Sequence, residues 1–519
     1  MGASYDEKHD LASGAPRAPN ESPVLDEVNV VISDSHLSEG LIRREKFRPS
    51  RLRRAWRWLV GLFSHPVRHP VIDPLNPLED FPDDNKFVSF IDKVLETYGQ
   101  ARIVRLRLLG DIFDPLAVTW NGRFADPPYE HAAAGKMGRI MAGHPAFFDA
   151  LARFLRQPNC CLDLFVGNHD LFLVWDRVQA KVVRRLSGGD AELAKKIRFI
   201  DHRVGFRDID KGVLYYHGND AEANNTVDPE AVVLTQRFGR EIKHPILNVP
   251  YGSLMTVGLV NKIKLHNPLV GRLTNYKALW QNAALHKWGW AGYVVMAAVG
   301  NYVFNAFFDI WDVRRKTNLR NHLRMAFENL VEQPVDGYAK KLLKEHEGRI
   351  KAVILGHSHE WRRVTDSLGT YINTGAWQLL FDLRWPKFDL KWKRLRHLEL
   401  VWLTTKHLVQ TGELRFGAYV SRILGWITTV LVLLTFLLIS FPKEGWRLWS
   451  YQLADLKVPI GILLVFILVS GLIRFLSVKP MVVVTQRLTF GLVRHYGDGG
   501  MNVELMEYKP EENSFRECV

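Results

Sequence analysis

Five short polar motifs each close an apolar run. They are Asp34-Ser35-His36, Gly110-Asp111, Gly167-Asn168-His169-Asp170, His217-Gly218-Asn219-Asp220 and Gly356-His357-Ser358-His359. Asp-x-His or Gly-Asp alone carries little weight in a chain with 19 histidines. Gly-Asn-His-Asp after an apolar strand is specific, and five motifs in this order make coincidence a poor explanation. Carboxylate, imidazole and amide oxygen without thiolate suit divalent Mn, Fe or Zn. Asp34, His36, Asp111, Asn168, His217, His357 and His359 are seven candidate ligands, too many for one tetrahedral centre. Seven donors fit two ions bridged by one carboxylate, ~3.5–4 Å apart, with a hydroxide between them as nucleophile for phosphoester displacement.

The elements that must position these residues alternate between strands and helices. Apolar runs at 28–33, 102–109, 161–166, 212–216 and 352–355 read as strands, and 129–142 and 145–156 as helices. Each motif then falls at the carboxyl end of a strand, where open α/β sheets place their ligands. Asp114 and Asp220 stand beside ligands and could orient them from behind, or serve as turn and cap residues. Asp163 and His202 read as structural.

The motif set resembles the calcineurin-like metallophosphoesterases over about residues 28–405. The resemblance implies a four-layer αββα sandwich. It also implies that Asp34, His36 and His359 hold one ion, that Asn168, His217 and His357 hold the other, and that Asp111 bridges them. His169 would contact the phosphate and protonate the leaving group rather than bind metal. In motif style the chain is most similar to the UDP-2,3-diacylglucosamine diphosphatases, on the Gly-Asp-x-Phe-Asp form at 110–114, the His217-Gly-x-Asp pattern and Gly375-Ala376-Trp377. It differs from them in having His169 where they usually have Arg, in its greater length, and in the apolar runs described next.

The chain has 519 residues, 47% hydrophobic and 24% charged, which excludes wholesale disorder and fibrous repeats. A net charge of +14 points to an anionic partner, and three cysteines, Cys160, Cys161 and Cys518, exclude a disulfide framework. Two uncharged apolar runs, 423–441 and 458–473, have the length and composition of a transmembrane hairpin. Basic residues are concentrated before the first run, so the positive-inside rule places both termini and the catalytic domain in the cytoplasm, at the cell (inner) membrane. Residues 51–63 form a basic amphipathic pattern with Trp56 on the apolar face, the profile of an interfacial helix at an anionic membrane surface.

A further uncharged run, 288–308, lies between His217 and His357. A single crossing there would put ligands of one centre on opposite sides of the membrane. An interfacial helix, a re-entrant element or a buried lid is therefore expected instead.

The expected organisation is a disordered tail (1–24), a metallophosphoesterase domain (25–405), a transmembrane hairpin (418–478) and a cytoplasmic C-terminal tail (479–519). The domain carries a basic amphipathic insertion (37–85) and a helical insertion or lid (221–350). The expected function is a membrane-anchored hydrolase of a phosphoester or diphosphate on a lipid-linked substrate, with two divalent ions, Mn favoured. A membrane-tethered phosphoesterase of soluble nucleotides, nucleic acid or phosphoproteins is the alternative, with nucleic acid not favoured. A non-catalytic, metal-stabilised scaffold is the third reading.

Overall fold

Val28, Val30, Val31 and Ile32, β-branched and nearly continuous, make Leu25–Ile32 (β1) a strand whose last six residues are all buried. The computed structural model describes residues 25–41, 76–265, 272, 335–384 and 481–518, save 82, 122–123, 125–128, 238–239 and 379. After β1 come α1 (Asp84–Tyr98), β2 (Ile103–Leu108), α2 (Glu130–Gly143), α3 (Pro145–Leu155) and β3 (Cys160–Phe165). They are followed by α4 (Asp176–Ser187), β4 (Ile197–Ile200), β5 (Arg207–Asp210) and β6 (Val213–Tyr216). The hairpin β7 (Val233–Arg237) and β8 (Arg240–Leu247) leads to a short helical run starting at Tyr251–Met255. Then come α5 (Val335–Glu345), β9 (Ala352–Leu355), β10 (Trp361–Asp366), β11 (Gly369–Thr374) and β12 (Leu380–Arg384). The chain closes with β13 (Met481–Thr485), β14 (Leu488–Tyr496), β15 (Met501–Lys509) and β16 (Ser514–Glu517).

Two mixed sheets form the frame. One has the order β16-β15-β14-β1-β2-β3-β4 and the other β10-β11-β9-β6-β5. Strands β1 to β4 are parallel, as are β6, β9 and β11, so the loops after them gather at one end. Val31, Leu109, Phe165, Tyr215, Ile354, Ile372, Val493 and Leu505 fill the space between the sheets. On the other face of the first sheet, Val30, Leu106 and Leu162 pack with Phe90, Ile140, Phe148 and Val178 from α1 to α4. Helix α5 lays Ala339, Leu342 and Leu343 against β9 and β11, covering the outer face of the second sheet. Fully buried Arg107 donates to Asn29 Oδ1 at 2.7 Å, pairs with Asp208 and Asp210, and lies 3.9 Å over the Tyr215 ring.

Three expected boundaries change. Residues 479–519 are not a tail: β14 pairs antiparallel with β1, Val30 opposite Leu492, and extends the main sheet. Without it the apolar strand β1 would be a free edge, which sheets avoid. The folded body therefore runs past 405, taking in 481–518. The insertion expected over 37–85 is narrower, because residues 37–41 and 76–85 belong to the body. Leu37 bridges to Phe113, and Asn76 Nδ2 donates to the Gly40 carbonyl at 3.0 Å, closing the neck of the excursion. The 221–350 insertion is not wholly helical, since it holds the β7–β8 hairpin, and α5 belongs to the sandwich rather than to a lid.

Residues 1–24, the basic pattern at 51–63 and the apolar runs 288–308, 423–441 and 458–473 lie outside the described residues. Among the described residues no helix is long and apolar enough to cross a membrane.

Candidate metal centre

The loops that follow β1, β2, β3, β6 and β9 bond to one another beyond the sheets. Asp34 N donates to Gly110 O at 3.2 Å, His36 N to Asp111 O at 3.0 Å, and Gly356 N to His217 O at 3.0 Å. This lacing holds five ligand residues at positive φ: Asp34 at 52°, His36 at 52°, Asp111 at 51°, His357 at 70° and His359 at 60°. The left-handed region is unfavourable for side-chain-bearing residues and persists where surroundings over-determine it, commonly at functional sites. Two motif glycines permit the close approach. A Cβ on Gly167 would overlap Asp111 Oδ1, and one on Gly356 would overlap the Ser33 hydroxyl.

Six of the seven expected ligands fall in overlapping clusters, and the seventh, Asn168, lies beside His217. Asp34, His36 and His359 form one, Asp111, His217 and His357 another, and His36, Asp111 and His169 a third. His359 Nε2 lies 3.1 Å from His36 Nε2 and 3.4 Å from Asp34 Oδ1. His217 Nε2 lies 3.2 Å from Asp111 Oδ2 and 3.3 Å from Asn168 Oδ1. Donors around one ion at ~2.1 Å sit roughly 3.0–3.4 Å from their neighbours, so these spacings suit coordination. Buried Asp34 Oδ1 has no hydrogen-bond partner among the described residues. A buried carboxylate lone pair left in this way, beside the other N/O donors, fits a bound divalent ion.

The electrostatics favour positive charge here. Burial works to raise Asp34, yet His359 and His217 hold it down at about 2. Burial likewise opposes ionisation of Asp111, but His217 and His169 keep it well below the usual carboxylate range. Burial would lower His217, and Asp111 instead lifts it to about 9. Burial pushes His36 down to about 4, with His169 and His359 adding to the effect, which leaves its ring neutral and able to donate a lone pair.

His169 is set apart by its bonds. Its backbone N–H donates to Asp111 Oδ1 at 2.8 Å and its ring Nδ1 lies 3.3 Å from Asp114 Oδ1. Burial acts to lower its pKa, but Asp111 and Asp114 raise it to about 9, so the ring carries a proton at neutral pH. Asp114 thus supports His169. Asp220 lies in the turn at Asn219–Ala221 and its carboxylate takes Arg207 Nη2 at 3.1 Å, which favours the turn reading of this residue over the orienting one. That pairing follows from geometry, because Arg207 on β5 lies beside the turn that carries Asp220.

Three supporting residues fall outside the expected set. Asp170 accepts backbone N–H bonds from Gly167 at 2.6 Å and Ile112 at 3.0 Å, tying two motif loops together. Gln378 faces His359 Nδ1 at 2.9 Å, and Glu222 faces His357 Nε2 at 3.3 Å. Asp170 closes the motif Gly167-Asn168-His169-Asp170 and Gln378 directly follows Gly375-Ala376-Trp377, which is the only sequence signal for them, and Glu222 has none. The chain matches no protein-family model, and no curated protein is significantly similar to it.

Proposed function

We propose that this protein is a dinuclear-metal hydrolase of phosphoester or diphosphate bonds. The observation that carries the proposal is the convergence of seven N/O donors from five strand ends, six in clusters that share Asp111 and His36 and the seventh, Asn168, against His217. The order of helices, sheet, sheet and helix, with ligands at the carboxyl ends, supports the four-layer αββα sandwich of the calcineurin-like metallophosphoesterases. Asp34, His36 and His359 would hold one ion, Asn168, His217 and His357 the other, and Asp111 both.

Bound divalent ions supply charge compensation for the phosphoryl group and activation of water at neutral pH. The chain's own part is a proton. His169, cationic and 21% exposed, is placed to give it from its ring to the leaving oxygen. Asp114 holds the ring in orientation and stabilises its charged form.

The feet of the chain excursions support a membrane-linked substrate. At the neck of 42–75, Asp80 takes Lys264 and Arg272, which lie at the start of the 266–334 excursion. The 385–480 excursion leaves β12 and returns on β13, with Leu380 opposite Thr485 and Arg384 opposite Met481. Its two ends therefore emerge side by side, as a two-pass hairpin requires. Gln378, against the ligand His359, lies two residues before β12. These chain ends, with Gln378 against a ligand, support a lipid-linked phosphate as the substrate.

The test is a substrate panel on the full-length, detergent-solubilised protein with Mn²⁺. Greater kcat/KM on lipid-linked diphosphates than on bis-p-nitrophenyl phosphate and soluble nucleotides is expected. Preference for the soluble nucleotides would favour the tethered, soluble-substrate reading.

A further inference from the structure

His357 and Asn168 share a neighbour that no motif contains. Glu222 lies in the turn after His217-Gly218-Asn219-Asp220, with Oε2 3.3 Å from His357 Nε2. The same oxygen accepts a hydrogen bond from Asn225 Nδ2 at 2.6 Å. Asn225 Oδ1 in turn accepts from Asn168 Nδ2 at 3.5 Å. With its NH₂ directed to Asn225, the Asn168 amide presents Oδ1 toward His217 Nε2, 3.3 Å away.

The turn is held in place. Asn225 N donates to Glu222 O at 2.9 Å, and Asn219 Nδ2 donates to Asn225 O at 2.7 Å. Gly252 packs so closely on Asn225 that a Cβ there would overlap its side chain. Glu222 does not belong to the cluster of Asp111, His217 and His357. An imidazole that binds metal through one nitrogen carries a proton on the other, and a carboxylate that accepts this proton fixes the ring and strengthens the donor.

We propose that Glu222 is a positioning residue for the ion of Asn168, His217 and His357, accepting the His357 ring proton and, through Asn225, fixing which atom of the Asn168 amide faces the ion. This rests on the dinuclear reading above. Nδ1 of His357 is then the nitrogen left for metal. The role is selective: one ion depends on Glu222 and the other does not.

Metal-stripped, full-length protein titrated with Mn²⁺, with free Mn²⁺ followed by electron paramagnetic resonance, tests it. The wild type is expected to bind two ions. Glu222→Ala should weaken one site ~10–100-fold and leave the other unchanged. Asn225→Ala should weaken the same site. Glu222→Gln, whose Oε1 still accepts a ring proton, should recover most of the affinity. The Glu222 side chain is 40% exposed, so unfolding of the stripped variants should match the wild type. Two wild-type-like sites in Glu222→Ala would overturn this inference alone. Fewer than two ions on the wild type would overturn it together with the dinuclear reading.

Discussion

His36 and His359, 323 residues apart in the chain, bring their Nε2 atoms within 3.1 Å of one another. Two protonated ring nitrogens cannot share that distance, so at least one presents a lone pair. Asp34 Oδ1, buried and without a hydrogen-bond partner among the described residues, lies 3.4 Å from the same His359 nitrogen. Leaving such an oxygen bare costs about 1–3 kcal/mol or more for a charged group, and a cation shared by the three offsets that cost.

Asp111 belongs to clusters on both sides of the centre, whereas His359 belongs to one. Asp111→Asn should therefore lose both ions and all hydrolysis, and His359→Ala only one ion. Metal content per chain checks this, and equal losses in the two variants would contradict it.

His169→Ala should keep both ions and lower the rate ~10²–10⁴-fold, the range for loss of a general acid. Metal analysis beside single-turnover rates separates the roles. Stoichiometric loss of metal would make His169 a ligand, in line with its place beside His36 and Asp111.

Asp114 holds His169 cationic, so Asp114→Asn should leave metal content unchanged and reduce the rate. The alkaline limb of the pH–rate profile should move to lower pH, because the general acid loses its proton earlier. An unmoved limb would detach Asp114 from the acid.

His144 offers a test away from the centre. It lies 2.7 Å from Asp84 Oδ1 through Nδ1 and 3.1 Å from Glu79 Oε2 through Nε2. Burial works against its charge, yet Asp84 and Glu79 raise its pKa from 6.5 to about 9. A folded-state pKa raised above the unfolded value stabilises fully below about pH 6.5, and the effect fades as pH rises through about 9. A shift of this size corresponds to roughly 3 kcal/mol. The urea stability of the wild type relative to His144→Leu should be greatest at pH 6 and smaller by about that amount at pH 10. A pH-independent difference would contradict the pairing.

Much of the site is legible in the sequence, because each ligand motif ends an apolar run that forms a buried strand. The runs at 28–33, 161–166 and 352–355 lie on β1, β3 and β9 to within a few residues. The closing strands are harder to see. Their alternation, with Val503 and Leu505 buried among polar neighbours, is weak beside the long apolar runs that precede it, and their partner β1 lies at the other end of the chain. Asp220 and Glu222 show why turns resist reading. Both are acids just after His217, and only the three-dimensional path turns one to Arg207 and the other to His357. Gln378 is marked only by following Gly375-Ala376-Trp377, since a neutral amide announces no charge partner and its role depends on His359 arriving from another strand.

The central claim is metal-dependent phosphoester hydrolysis, and the most direct measurement is turnover of bis-p-nitrophenyl phosphate by metal-stripped protein as Mn²⁺ is restored. No activity is expected without metal, a plateau at two ions per chain, and none at any Mn²⁺ concentration for Asp111→Asn. Turnover unaffected by stripping, or equal turnover in Asp111→Asn, would contradict it.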